Sequence, residues 1–295
     1  MTGNLCVLPT LDSVELATSA RESLDISREM ARQLGKSAVQ ISHDGFYIDE
    51  QGQRVDISAD VAFARKGTVS LPPEQAIPDS AEPRYAQTRV QISNESTLVA
   101  AKRLAQSGLS PVALNFANGI SPGGGFRTGA RAQEENLCRS SALYVTLEGD
   151  KMYSAHRKRS EPESTDWCIY SPSVPVFRED DGTMISPPWK LSFLTCAAPY
   201  APDVGQPRSG DLLQTRILRV LNAARYFGHS SLILGAWGCG AFENDPRRTA
   251  LDFRSALEGP FDGAFSDIVF AITDWSPERR FLRPFHDVFT NQGMP

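Results

Sequence analysis

The chain has 295 residues, of which 41% are hydrophobic, and its mean hydropathy is −0.29. It therefore reads as one large water-soluble domain, or one domain with an extension. The net charge of −5 excludes bulk electrostatic attraction to nucleic acid, and no apolar run approaches the roughly 18 residues of a membrane span.

The five cysteines (Cys6, Cys138, Cys168, Cys196, Cys239) are odd in number and never in CxxC spacing. That argues against a disulfide framework and against a zinc site, and for a reducing intracellular compartment. No basic segment followed by an apolar core opens the chain, so no secretory signal is visible. The cytoplasm is the expected location, or the nucleus for a eukaryotic chain.

In chain order, residues 1–10 read as frayed. Residues 14–34 read as one helix, with Leu16, Leu24, Ile26, Met30 and Leu34 apolar and Gly35 as C-cap. A hairpin follows over 45–57, turning at Gln51 and Gly52. Residues 66–88 are loop-like and proline-rich, and end an N-terminal extension of residues 1–88. The main domain, 89–295, then alternates strand and helix. Strands are expected at 89–93, 112–116, 191–197, 231–235 and 268–272. Helices are expected at 96–106, 129–147, 211–227, 247–257 and 277–289. Residues 148–190 read as a long irregular connection with one short strand at 167–170, and its aromatics argue for an ordered covering. Alternation of this kind predicts an α/β fold with a largely parallel sheet between helix layers.

Two loops leave strands with glycines and lead into helices: NGISPGGGFRTG at 118–129 and GAWGCGAFEND at 235–245. In an open α/β sheet, ligands bind beyond the carboxyl ends of the strands. Free backbone N–H groups and helix N-termini make such loops anion sites. Either loop alone is also an ordinary strand-to-helix turn. Both together, with Phe242 at the mouth of the second, point to a two-sided cradle for a diphosphate. Neither matches GxxxxGK[ST] or the dinucleotide GxGxxG.

Glu134 and Glu135 open the helix after the first loop. Successive helix residues point about 100° apart, so one acid can hold a substrate hydroxyl while the other handles a proton. The helix N-terminus favours the carboxylate; burial and like charge favour the acid. The simpler reading is that two acids complement the helix dipole.

GGG at 123–125, seven residues, then Gln133-Glu134-Glu135 resembles the signature of the poly(ADP-ribose) glycohydrolases, a branch of the macrodomain superfamily. NFAN at 115–118, LCRSSALY at 137–144, YSPSVPVF at 170–177 and GAWGCGAFENDP at 235–246 are similar to the microbial type. The resemblance spans roughly residues 18–290. It implies a three-layer α/β/α macrodomain with a mixed central sheet and an N-terminal helical extension.

It also implies an ADP-ribose site. There Glu135 matches the catalytic acid and Glu134 the residue holding a ribose hydroxyl of the scissile unit. Gly123, Gly124, Gly125 and Phe126 match the loop at the distal ribose, with Gln133 beside it. Gly238, Cys239, Gly240 and Ala241 match the diphosphate loop, Phe242 the aromatic beside the ribose, and Asn118 a ribose contact. A strand-end cap is the alternative for Asn118.

The implied reaction is hydrolysis of ribose–ribose O-glycosidic bonds from chain ends, releasing ADP-ribose. Glu135 would donate a proton and then activate water, since only one carboxylate is placed for the anomeric carbon. The substrates would be poly(ADP-ribose) or ADP-ribosylated protein or nucleic acid, met by a monomer with no membrane partner. Removal of single ADP-ribose units and non-catalytic binding of ADP-ribose are the competing readings.

No cofactor is expected. No metal set is expected either, because His43, His156, His229 and His286 are dispersed and nothing pairs Asp245 with Asp274. HRKR at 156–159 reads as a solvated charge run, with polymer phosphate as the alternative contact. Glu243, beside the diphosphate loop, must point outward or pair with Arg247.

Overall fold

The computed structural model describes residues 4–78 and 83–290. Strand β1 (Leu5–Val7) opens the fold where fraying was expected, because it pairs parallel with a main-domain strand. The single helix expected over 14–34 is two, α1 (Val14–Leu24) and α2 (Arg28–Asp44). Ser27 divides them: its side chain accepts the N–H of Met30 at 3.1 Å, an N-cap of the kind worth about 1 kcal/mol. Gly35 is not a C-cap. It lies buried within α2, where a β-carbon would sit 2.4 Å from the carbonyl oxygen of Phe126. The stop is Gly45, in the left-handed region at φ 75°.

The expected hairpin is β2 (Phe46–Ile48) and β3 (Arg54–Asp56). Helix α3 (Ser58–Gly67) and strand β4 (Val69–Leu71) follow, the latter in what read as loop. Then come β5 (Thr88–Ser93), α4 (Thr97–Gln106) and β6 (Val112–Ala117). The helix expected over 129–147 starts later and breaks. A 3₁₀ turn (Phe126–Thr128) precedes α5 (Gln133–Ser140) and α6 (Leu143–Leu147). The break is extended Ser141, which bridges Val176, while the N–H of Ala142 donates to Pro175 at 3.0 Å.

The stretch 148–190 is not irregular. It holds α7 (Lys151–Arg157) and a long antiparallel pair, β7 (Cys168–Arg178) and β8 (Met184–Ala197). Its prolines hid the strands; Pro172 sits at a register shift between Ser171 and Val174. The described residues end with α8 (Ala201–Val204), α9 (Arg208–Tyr226), β9 (Ser231–Leu234), α10 (Pro246–Glu258), β10 (Asp267–Ala271) and α11 (Leu282–Thr290).

The sheet runs β1-β5-β10-β9-β6-β8-β7-β4. Strands β1 through β8 in that order are parallel, and β7 runs against its neighbours, so the sheet is mixed. Both edge strands come from residues before 88, so the N-terminal segment completes the sheet of the main domain.

Successive strand residues face opposite sides. Leu232, Leu234, Ile268 and Phe270 enter the core under α9, α10 and α11, while Ile233 and Val269 enter the one shared with α4, α5 and α6. Buried on both faces, these strands read as continuous apolar runs. The result is the three-layer α/β/α arrangement. Among the described residues no helix is long and apolar enough to cross a membrane.

Candidate active site

The site is built where β6 ends. The N–H of Asn118, one residue past the strand, donates to Oε2 of Glu134 at 2.7 Å. The Asn118 side-chain oxygen accepts the N–H groups of Ile120 (3.0 Å) and Ser121 (2.9 Å), turning the chain into the glycine loop. Gln133, first residue of α5, latches the helix to the strand it follows. Its Oε1 accepts the N–H of Phe116 at 2.9 Å, and its Nε2 donates to the carbonyl of Leu114 (2.8 Å) and to Thr97 (3.0 Å). Its amide is committed to the scaffold.

The loop then wraps the two acids. Oε1 of Glu135 accepts the N–H of Gly125 at 2.9 Å. Gly124 lies between the carboxylates at φ +56°; a β-carbon there would fall 2.3 Å from Oε1 of Glu135 and 3.0 Å from Oε2 of Glu134. Only glycine combines that backbone conformation with that approach. Gly123 has φ +71° and rests on the ring of Phe126 and the sulfur of Cys138.

Glu134 is 3% exposed and Glu135 8%. Burial pushes the Glu134 carboxyl up to about 8; the charge of Glu135 adds to this, and the N–H of Asn118 opposes it. The buried Cys138 thiol is pushed well above its ordinary value, chiefly by burial.

The second loop leaves β9. Gly238 (φ +77°) packs so tightly that a β-carbon would lie 2.7 Å from that of Ala198. Asn244, fully buried, pins the loop: its Nδ2 donates to the carbonyls of Pro199 (2.8 Å), Gly238 (3.1 Å) and Phe242 (3.3 Å), and its Oδ1 accepts from Ser209. Among the described residues nothing accepts from the N–H groups of Gly240, Ala241 and Phe242, and a β-carbon on Gly240 would meet open space. Three unpaired donors at one loop are an arrangement able to hold an anion. Phe242 is half-buried and meets Tyr200 edge-on, with centroids 5.6 Å apart. Asp245 caps α10 through the N–H of Arg247 at 2.8 Å. Glu243 is exposed and lines no part of the cavity described next.

Both loops open on one cavity of about 640 Å³, within the range of small-molecule sites. Asn118, Gln133, Glu134 and Glu135 line it from the first loop; Gly238, Gly240, Ala241 and Phe242 line it from the second. Gly123, Gly124, Gly125, Phe126 and Cys239 do not line it. The glycines shape the backbone that holds the acids, Phe126 is buried against Tyr144 at 5.0 Å, and Cys239 turns its sulfur toward Thr249.

Sequence reasoning missed Glu95, Ile272, Trp275 and Phe281, and Leu24 and Asp25 at the end of α1, all of which line the cavity. Glu95 and Ile272 follow the carboxyl ends of β5 and β10, a position that was itself a signal. Asp25 is held by Arg131 at 2.8 Å. Among the described residues no three His, Cys, Asp or Glu side chains are grouped to ligate a metal.

The family model described as "Microbial-type PARG, catalytic domain" matches residues 35–179. The chain is similar to the crystal structure of poly(ADP-ribose) glycohydrolase from Thermomonospora curvata. The two are 39% identical over 88% of this chain and 99% of that one, with a TM-score of 0.81. The same protein bound to the inhibitor ADP-HPD matches at 40% identity over 87% of this chain and 98% of that one, TM-score 0.79. The Deinococcus radiodurans poly(ADP-ribose) glycohydrolase, in complex with ADP-ribose, matches at 38% identity over 78% and 96%, TM-score 0.73. None of the curated proteins matches the chain.

Proposed function

The chain belongs to the microbial-type poly(ADP-ribose) glycohydrolases, and on that premise we infer that it hydrolyses the ribose–ribose O-glycosidic bonds of poly(ADP-ribose) and releases ADP-ribose. The observation that carries the reading is the convergence of Glu134, Glu135 and the 238–242 loop on one cavity. The proposed layout of the substrate follows the sheet order. The 238–242 loop follows β9, and its free N–H groups suit the diphosphate. Asn118 and the acids follow β6 and suit the scissile ribose. The ends of β10 and β5, with Trp275, remain for the adenosine.

In this reading Glu135 is the catalytic acid. It protonates the oxygen leaving the anomeric carbon, an oxocarbenium-like ribose forms, and the carboxylate then takes a proton from the attacking water. The diphosphate loop fixes the anomeric carbon over the acid. Glu134 keeps its proton near neutral pH, so it can donate to a ribose hydroxyl as well as accept from the N–H of Asn118. Across the cycle Glu135 gives one proton to the leaving oxygen and regains one from the attacking water, so its protonation state is restored.

The enzyme is proposed to act from chain ends as an intracellular monomer. Leu24 and Asp25, the latter paired with Arg131, line the cavity, and a terminal unit is the proposed occupant there. Five free cysteines suit a reducing compartment. The test is a product assay on automodified polymer, mono-ADP-ribosylated protein and ADP-ribosylated DNA. Monomeric ADP-ribose released from polymer and lost in Glu135→Gln is expected; near-normal turnover by that variant removes Glu135 from its role.

A further inference from the structure

We propose that His156 and Arg157, on α7, are positioning residues for the hydrolysis: they clamp the carbonyl groups of Gly119 and Ile120 so that the 118–125 loop presents its N–H groups to Glu134 and Glu135. Within the HRKR run His156 alone is buried; Arg157, Lys158 and Arg159 are exposed, as a solvated charge run has them.

Nδ1 of His156 lies 2.8 Å from the carbonyl oxygen of Gly119, and Nε2 lies 2.7 Å from Oγ1 of Thr165. A carbonyl only accepts, so Nδ1 carries a proton. The N–H of Thr165 points at Nε2 from 3.2 Å and only donates, so Nε2 carries none. The two contacts select one neutral tautomer whose Nδ1–H holds the loop. Burial, and the nearby charges of Arg216 and Arg159, lower the His156 pKa in keeping with this.

The guanidinium of Arg157 donates to the carbonyl of Ile120 at 2.5 Å. Gly119 leaves no slack. A β-carbon there would meet Ser164 at 3.0 Å, Ala197 at 3.2 Å and His156 itself at 3.2 Å. Asn118 is the preceding residue, and its N–H holds Glu134. Neither His156 nor Arg157 lines the cavity, so both act through the loop and not on substrate.

The inference rests on Glu135 as proton donor, and Glu135→Gln run alongside separates the two. Turnover surviving in that variant sinks the active-site reading; turnover lost there but normal in the α7 variants sinks the clamp alone. The full chain is compared as wild type, His156→Ala, His156→Asn and Arg157→Met, reading kcat and KM on polymer, Kd for ADP-ribose and Tm.

His156→Ala is expected to lower kcat by about 10- to 100-fold, the scale of a misplacement near 1 Å, with the ADP-ribose Kd within about threefold of wild type. His156→Asn, whose amide nitrogen takes the place of Nδ1, is expected to recover most of that loss. Arg157→Met, at an exposed residue, is expected to lose severalfold in kcat at unchanged Tm. A folded His156→Ala with wild-type kcat overturns the proposal, as does His156→Asn being no better than His156→Ala. If His156→Ala does not fold, Arg157→Met decides alone, and a wild-type kcat there overturns it.

Discussion

Glu135 accepts the backbone N–H of Gly125 at 2.9 Å, ten residues before it in the chain. The proposed catalytic acid is therefore held by the loop that its own helix follows. The neighbouring Glu134 is held by the other end of that loop, through Asn118. Small displacements of the loop must move both carboxyl groups.

Gly124→Ala tests that coupling. The added methyl would sit 2.3 Å from Oε1 of Glu135 in a left-handed conformation that alanine resists. The strain is on the order of 1–2 kcal/mol. The expected outcome is a kcat at least about 100-fold lower, with Tm reduced by only a few degrees. Steady-state kinetics and a thermal melt check it.

Glu134 makes stability depend on pH in a stated direction. Its carboxyl is raised from 4.5 to about 8 in the folded protein. The folded state binds the extra proton, so stability falls as pH rises from about 4.5 towards 8, and the loss is complete above 8. The total is on the order of a few kcal/mol. Glu134→Gln removes the ionisation, so its Tm is expected to exceed that of the wild type by several degrees at pH 8.5 and to differ little at pH 5. Melts at the two values decide this.

The same substitution separates holding from cleaving. Glu134→Gln keeps an amide that can donate to a ribose hydroxyl but loses the carboxyl group beside Glu135. It is expected to bind ADP-ribose within about tenfold of wild type while kcat falls by about 100-fold or more. Calorimetric binding and turnover on polymer, measured on one preparation, distinguish the effects.

Asn244→Ala removes the pin of the diphosphate loop. Three carbonyls lose their shared donor and Ser209 loses its acceptor. A cost of about 2–3 kcal/mol in stability is expected from the buried groups left unpaired. The ADP-ribose Kd is expected to rise by about tenfold, with a smaller effect on single-turnover chemistry at saturating substrate. A Kd unchanged from wild type would remove the loop's role in affinity.

Much of the fold was legible in the chain. The strands at 112–117 and 231–234 and the helix capped by Ser96 carry short-range signals: continuous apolar runs and a serine cap. The β7–β8 pair was not legible. Its stability comes from partners across the sheet, and its prolines and serines look locally like a loop. The split at Ser27 was readable from its capping side chain but was hidden by apolar residues continuing at helical spacing on both sides.

By itself, the sequence determined the layer order, the two glycine loops at strand ends and the pair of acids behind the first. Those features depend on residue type and near neighbours. Only the tertiary structure decided what each does. The apolar Phe126 went under the loop and not into the cavity, because Tyr144 and Gly35 pack against it. Gln133 became a latch because the end of β6 offered it a donor and an acceptor. The raised proton affinity of Glu134 comes from burial, and its desolvation depends on atoms far away in the chain that packing brings to it.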